Sequence, residues 1–191
     1  MRPDGRPSGP ERPEQARVFF ALWPDERVRA GLHRAALDGA KRFGGRATAR
    51  ESLHLTLAFI GDVPLEDLPR LHEAAAAVEG EPFLLTLDRL GFWGHNRILW
   101  AGSEDAAAGL SRLAHSLAER LQAAGYSSGI NTGRPFAPHI TLVRSVGDRH
   151  PQLPAMVPMD WACGEFVLVR SRLSSRGAAY ETIGHWPLRS P

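Results

Sequence analysis

Two stretches of the chain carry the same short arrangement. ESLHLTLAFIG begins at Glu51 and GRPFAPHITLVRS at Gly133, and each holds a His, one spacer, a Thr and a Leu in an apolar setting. Side chains alternate faces along a strand. A strand through the first stretch therefore puts His54, Thr56 and Ala58 on one side and Leu53, Leu55, Leu57 and Phe59 on the other. The second divides in the same way, with His139, Thr141 and Val143 opposite Ile140 and Leu142. Each open face presents an imidazole and a hydroxyl in line, about 7 Å apart on the strand rise. With eight histidines and six threonines in 191 residues, chance supplies about 0.25 His-x-Thr pairs. Two pairs in matched amphipathic context point to a shared task.

Cleavage of a phosphodiester suits such a set. One group must take a proton from the attacking oxygen and another must give one to the leaving oxygen, on opposite sides of phosphorus. Histidine titrates near enough to neutrality for either role. Two hydroxyls can hold the non-bridging oxygens as negative charge builds. No metal is needed by this scheme, and no cofactor or metal is expected.

The elements that must position these residues follow from apolar patterning. Residues 1–16 are rich in proline and lack large apolar side chains, which predicts a disordered tail. RVFFALW, from Arg17, is expected to be a strand stopped at Pro24. A helix over 25–42 follows, then the first His strand, then a second helix over 65–78. Residues 83–93 and 97–102 are expected to form two strands joined by a Gly-His-Asn turn. Leu110, Leu113, Leu117 and Leu121 mark a helix over 105–124. After the second His strand and a proline-broken connection at 147–158, EFVLVRSRL and AAYETIGHWPL close the chain as paired strands. Strand, helix, His strand recurs in each half, which predicts a mixed α/β or α+β protein. Residues 17–191 would form one domain of two similar lobes around a shared cleft.

Bulk properties narrow the class. Hydrophobic residues make up 43% and charged residues 23% of the chain, enough for an ordinary core. Net charge is +2, and Lys41 is the only lysine among the 23 basic residues, a weak pointer to an anionic ligand. Cys163 is the lone cysteine, so neither an internal disulfide nor a thiolate zinc site can form. That fits a cytoplasmic setting. No run approaches the roughly 20 apolar residues of a membrane span, and the N-terminus lacks a signal-peptide core.

HLTLAFIGDV and RPFAPHITLVR resemble the paired motifs of the two-histidine (2H) phosphoesterases, above all the LigT/ThpR branch of RNA 2′,3′-cyclic phosphodiesterases, also named 2′-5′ RNA ligases. RVFFALWPDERVRAGL and EFVLVRSRLSSRGAAYETIGHWPL resemble that branch too, so the likeness runs from Arg17 to Leu188. It implies a bilobal fold with the motifs facing across a central cleft. It also implies hydrolysis of RNA 2′,3′-cyclic phosphates to 2′-phosphomonoesters without a metal. In that scheme His54 protonates the 3′ leaving oxygen, His139 activates water, and Thr56 and Thr141 hold the phosphate. The residues alone do not tell acid from base. Three other activities remain open: 2′-5′ joining of RNA ends such as tRNA halves, 2′-5′ oligoadenylate cleavage, and RNA-end binding without turnover.

Further binding candidates are less well marked. Arg144 matches a family arginine, yet strict alternation from His139 sends it to the opposite face, and only a strand end or bulge would bring it to the cleft. Phe19, Phe20 and Phe136 are candidates to stack on a terminal base, with core packing as the competing role for each. Arg134 stands beside Phe136. The other six histidines show no metal-ligand spacing and receive no role; His33, His72 and His115 are expected to be solvated positions on helices. Expected partners are RNA ends or nucleotides, with no membrane, and the protein is expected to be a monomer because each half supplies one motif.

Overall fold

The expected strands and helices form, and the sheet they build has its seam between the two His stretches. The computed structural model describes residues 14–105, 107–126, 136–174 and 177–189. In chain order these give β1 (Gln15–Leu22), α1 (Glu26–Phe43), β2 (Arg46–Ala47), β3 (Leu55–Pro64), α2 (Leu68–Ala76), β4 (Phe83–Leu87), β5 (Arg89–Trp93) and β6 (Ile98–Gly102). They continue with α3 (Ala108–Ala123), β7 (Ile140–Arg144), β8 (Met159–Cys163), β9 (Glu165–Ser174) and β10 (Gly177–Pro187).

The main sheet runs β10-β9-β1-β3-β7-β6-β5, with β2 beside β7. All its pairings are antiparallel. Its halves meet where β3 adjoins β7, with Leu55 opposite Ile140. Helix α1, between β1 and β3 in the chain, packs over β7 and β8; α3, between β6 and β7, packs over β3 and β4. Each helix thus covers the His strand of the opposite half. The result is the expected α+β fold of two sheet-plus-helix lobes.

All helices lie over one face of the sheet, and the core between is continuous. It includes Phe20, Leu32, Leu55, Leu57, Leu99, Leu117, Ile140 and Leu142, none more than 1% exposed. Each such side chain contributes about 1.5–3 kcal/mol on burial, so both His strands are anchored through the residues that alternate with the motif. Helix α1 begins where the Asp25 side chain accepts from the Val28 N–H, a cap that satisfies an otherwise orphaned donor.

Several elements depart from the sequence reading. β1 starts at Gln15, and Ala16 is 1% exposed, so the sheet claims two residues expected in the tail. The stretch 83–93 is two strands. At Asp88 the chain bends, with its N–H donating to the Gly102 carbonyl and its side chain accepting from the Glu104 N–H. β4 leaves the main sheet there and pairs with β8 in a separate two-stranded sheet. β8 itself was hidden by the proline-rich connection before it, yet it buries Trp161 and Cys163. Burial pushes the Cys163 thiol up to about 12, which leaves it unreactive. The second helix is shorter than expected, with a 3-10 turn, Leu65–Asp67, ahead of α2. No helix of the described residues is long and apolar enough to cross a membrane.

Gly45, between α1 and β2, has φ +100°, and a Cβ there would lie 2.7 Å from the Arg144 carbonyl oxygen. Left-handed backbone costs an L-residue about 1–2 kcal/mol, and the backbone overlap adds to it. Gly45→Ala should destabilise by about 2 kcal/mol, read as a fall of roughly 4–8 °C in the thermal midpoint.

Candidate active site

The open face of the sheet is shaped by bulges. Between β1 and β3 the register skips Leu57 and Ile60, and between β6 and β7 it skips Leu142. A bulged residue reverses the alternation beyond it. Ala58 and Val143, expected on the open face, are therefore buried at 2% and 0%, while Phe59, expected inside, is 45% exposed. The same reversal carries Arg144 to the His/Thr side, through a bulge, one of the two routes the sequence left open to it.

The Leu55–Ile140 pair sets how the motifs meet. Extending that antiparallel register by one residue each way puts His54 beside Thr141 and Thr56 beside His139. All four line one cavity of about 420 Å³, together with Arg144, Arg46, Thr48, Trp93, Asn96 and Tyr180. A larger cavity of about 930 Å³, lined by Arg112, Trp186 and Arg189 among others, contains neither motif.

The two imidazoles are held alike. Nδ1 of His54 lies 2.7 Å from the Ser52 carbonyl and Nδ1 of His139 lies 2.9 Å from the Ala137 carbonyl. A carbonyl only accepts, so each Nδ1 carries hydrogen and each Nε2 is the atom that exchanges protons. Ser52 ends a 3-10 turn, Arg50–Ser52, tied to the start of α1 by the Arg50–Glu26 ion pair. Aromatic rings wall both imidazoles. His54 lies against Phe19 at 4.8 Å, Tyr180 at 5.3 Å and Trp23 at 5.5 Å; His139 meets Trp93 edge-on at 4.4 Å.

Both imidazoles titrate low. Burial holds His54 down at about 4, and Arg144 and His139 add to the depression while the Ser52 carbonyl opposes it. Burial also lowers His139, with Arg144 pushing the same way and the Ala137 carbonyl opposing. Burial and Arg144 thus disfavour positive charge on either ring, and a bound anion would reverse that bias.

A model of the 2′-5′ RNA ligase superfamily matches residues 24–174. The chain belongs to this superfamily. It is 34% identical over 175 residues to the RNA 2′,3′-cyclic phosphodiesterase of Escherichia coli strain K12, covering 92% of this chain and 98% of the relative. With the RNA 2′,3′-cyclic phosphodiesterase of Thermus thermophilus it shares 32% identity over 182 residues, covering 91% and 90%. The crystal structure of E. coli LigT complexed with 3′-AMP superposes with a TM-score of 0.84 at 31% identity, covering 93% of this chain and 100% of that one. These matches establish the likeness to LigT/ThpR two-histidine phosphoesterases that the motifs implied.

Within this superfamily fold the aromatic candidates take other places. Phe19 is 4% exposed and packed under His54, so it supports the imidazole and has no free face for a base. Phe20 is fully buried. Phe136 packs against the main core and does not line the cavity. Arg134 lies outside the described residues. His72, expected to be solvated, rests on Trp186 at 5.3 Å, whereas His115 is exposed and paired with Glu119. Trp93, Tyr180, Arg46 and Thr48 were not foreseen. One signal was available for the tryptophans: RVFFALW and the strand ending GFW both finish on Trp, and each Trp packs on one motif His. The buried Thr48 Oγ1 has no hydrogen-bond partner among the described residues, a third hydroxyl beside the two in the motifs.

Because His54 is held below its ordinary 6.5, the folded state binds fewer protons than the unfolded state between pH 6.5 and 4. Its contribution to stability is complete above pH 6.5 and is lost as pH falls toward 4. Denaturant titration should show a loss of roughly 2–3 kcal/mol from His54 across that window, which is removed in His54→Gln while the loss due to His139 remains.

Proposed function

We propose that this protein hydrolyses 2′,3′-cyclic phosphates at RNA ends and on nucleotides to 2′-phosphomonoesters, with its two imidazoles as acid and base. The observation that carries this reading is the pair of Nδ1–carbonyl clamps. They leave two Nε2 atoms as the proton-handling groups of one cavity, each on a strand that also bears a hydroxyl. The superfamily membership and the E. coli and T. thermophilus phosphodiesterases support the substrate class.

In the proposed step His139 Nε2 takes a proton from water and the water oxygen bonds to phosphorus. The P–O3′ bond breaks in line, and His54 Nε2 delivers its proton to O3′. The direction follows the family resemblance, and the electrostatics are consistent with it. The strongly depressed His54 is, once protonated, the stronger acid, which suits delivery to a departing alkoxide. Thr56, Thr141 and Arg144 face the same cavity and hold the non-bridging oxygens, a guanidinium being well matched to phosphate. Joining of RNA ends uses the same groups with a 5′-hydroxyl in place of water. Water at about 55 M prevails unless that hydroxyl is held at high effective molarity.

Phosphorus NMR of adenosine 2′,3′-cyclic phosphate in excess chelator is the direct test. Clean formation of the 2′-phosphate is expected, and His54→Ala and His139→Ala should each lose about 10²–10⁴ in kcat while remaining folded. Persistence of full activity in either variant would refute the scheme.

The pH profile offers a second check. Arg144 lowers both imidazoles, so Arg144→Gln removes a positive charge and raises both pKa values. The acid limb of kcat/KM should move to higher pH in that variant. In the wild type the kcat profile should lie at higher pH than that of kcat/KM, because the bound phosphate anion favours the imidazolium forms.

A further inference from the structure

The catalytic face of the sheet continues along β1 and β3 beyond the cavity. Phe19 pairs with Phe59 and Arg17 with Asp62 across the two strands, and directly paired residues share a face. Phe19 lies against His54, so Phe59 and Arg17 stand on the His/Thr side, past Phe19 as seen from the imidazole. Phe59 is 45% exposed and is the only aromatic among the exposed large apolar side chains of the described residues. The Arg17 guanidinium carbon is 5.2 Å from its ring centroid, and Asp62 holds that guanidinium at 3.7 Å. A hollow of about 310 Å³, lined in part by Arg17, Asp62 and Arg172, opens beside it.

A single exposed apolar side chain is ordinary. Here the bulge at Leu57 turns the ring outward, forgoing about 1.5–3 kcal/mol of burial, and bulges that re-aim a side chain are common beside active sites. The outward ring lies three residues along β3 from Thr56, roughly 10 Å, with a guanidinium already placed over it.

We propose that Phe59 and Arg17 form a stacking subsite for the nucleobase one position 5′ of the nucleotide that carries the cyclic phosphate. This rests on the hydrolase reading above and narrows its substrate to RNA strand ends of two or more nucleotides. Stacking on an aromatic ring tolerates any base, and arginine adds a cation–π contribution. Asp62 compensates the charge of Arg17, so the subsite acts through stacking and adds little to the salt dependence of binding.

The test compares adenosine 2′,3′-cyclic phosphate with the adenine dinucleotide ending in the same cyclic phosphate, using wild type, Phe59→Ala and Phe59→Trp. The ratio of kcat/KM for dinucleotide over mononucleotide should fall about 5- to 100-fold in Phe59→Ala and return in Phe59→Trp. An equal fall on both substrates, or no fall, overturns the subsite. Mononucleotide turnover by wild type reads the hydrolase assignment separately. Titration with the adenine dinucleotide and mononucleotide bearing an uncyclised 3′-phosphate gives the same affinity ratio without turnover, so the subsite is decided even where hydrolysis is not observed.

Discussion

Leu55 and Ile140, which adjoin one another where β3 meets β7, couple two halves of the chain that fold around different helices. Each follows a motif histidine directly, so their pairing decides which side chains share the cavity. Slipping by one residue would turn every side chain of one strand to the other face, burying a His and a Thr and exposing Leu55 or Ile140. The helices oppose such a slip. Because α1 lies over β7 and α3 over β3, each strand is held from behind by an element belonging to the opposite half. Neither lobe can shift without uncovering the core of the other.

On that fixed seam, departures from regularity do the detailed placing. The bulge at Leu142 turns Arg144 toward the imidazoles, and the bulge at Leu57 turns Phe59 outward. The 3-10 turn before β3 supplies the Ser52 carbonyl, and the segment before β7 supplies that of Ala137. Phe19, Tyr180 and Trp23 exclude water around His54, and Trp93 does so on the other side. That enclosure is what depresses the imidazoles, since a charged ring loses its hydration there. The site therefore gathers His54, His139, Arg144 and Arg46 around one cavity with Glu51 as the carboxylate among its described lining residues, an arrangement suited to an anion from outside.

The parts of this arrangement that follow local rules were legible in the sequence. Alternation placed His54 with Thr56 and His139 with Thr141, and the leucine spacing of α3 and the apolar run of β1 marked those elements. Phe59 and Val143 were placed on the wrong faces, and Arg144 could be assigned to the cleft only on condition of a bulge, because a bulge is set by packing across to the neighbouring strand, which a single stretch of sequence does not record. The split of 83–93 at Asp88 and the existence of β8 share that origin: β4 and β8 are strands only because they meet. Phe19 and Phe136 illustrate a related limit. Their neighbourhood in the chain is that of the site, but in space Phe19 is enclosed beneath His54 and Phe136 packs on the core.

The Nδ1–carbonyl clamps also govern what happens between turnovers. With each ring fixed as the Nδ1–H tautomer, neither histidine can pass a proton through its far side to the protein, because the far side faces a backbone oxygen. In the proposed scheme one catalytic event leaves His139 carrying the proton and His54 without one, the mirror image of the starting state. The proton must then return through the cavity itself, by way of solvent or departing product, before the next substrate can react in the same sense. On that scheme, recovery of the free enzyme is a step in the cycle in its own right, governed by access of water to the site.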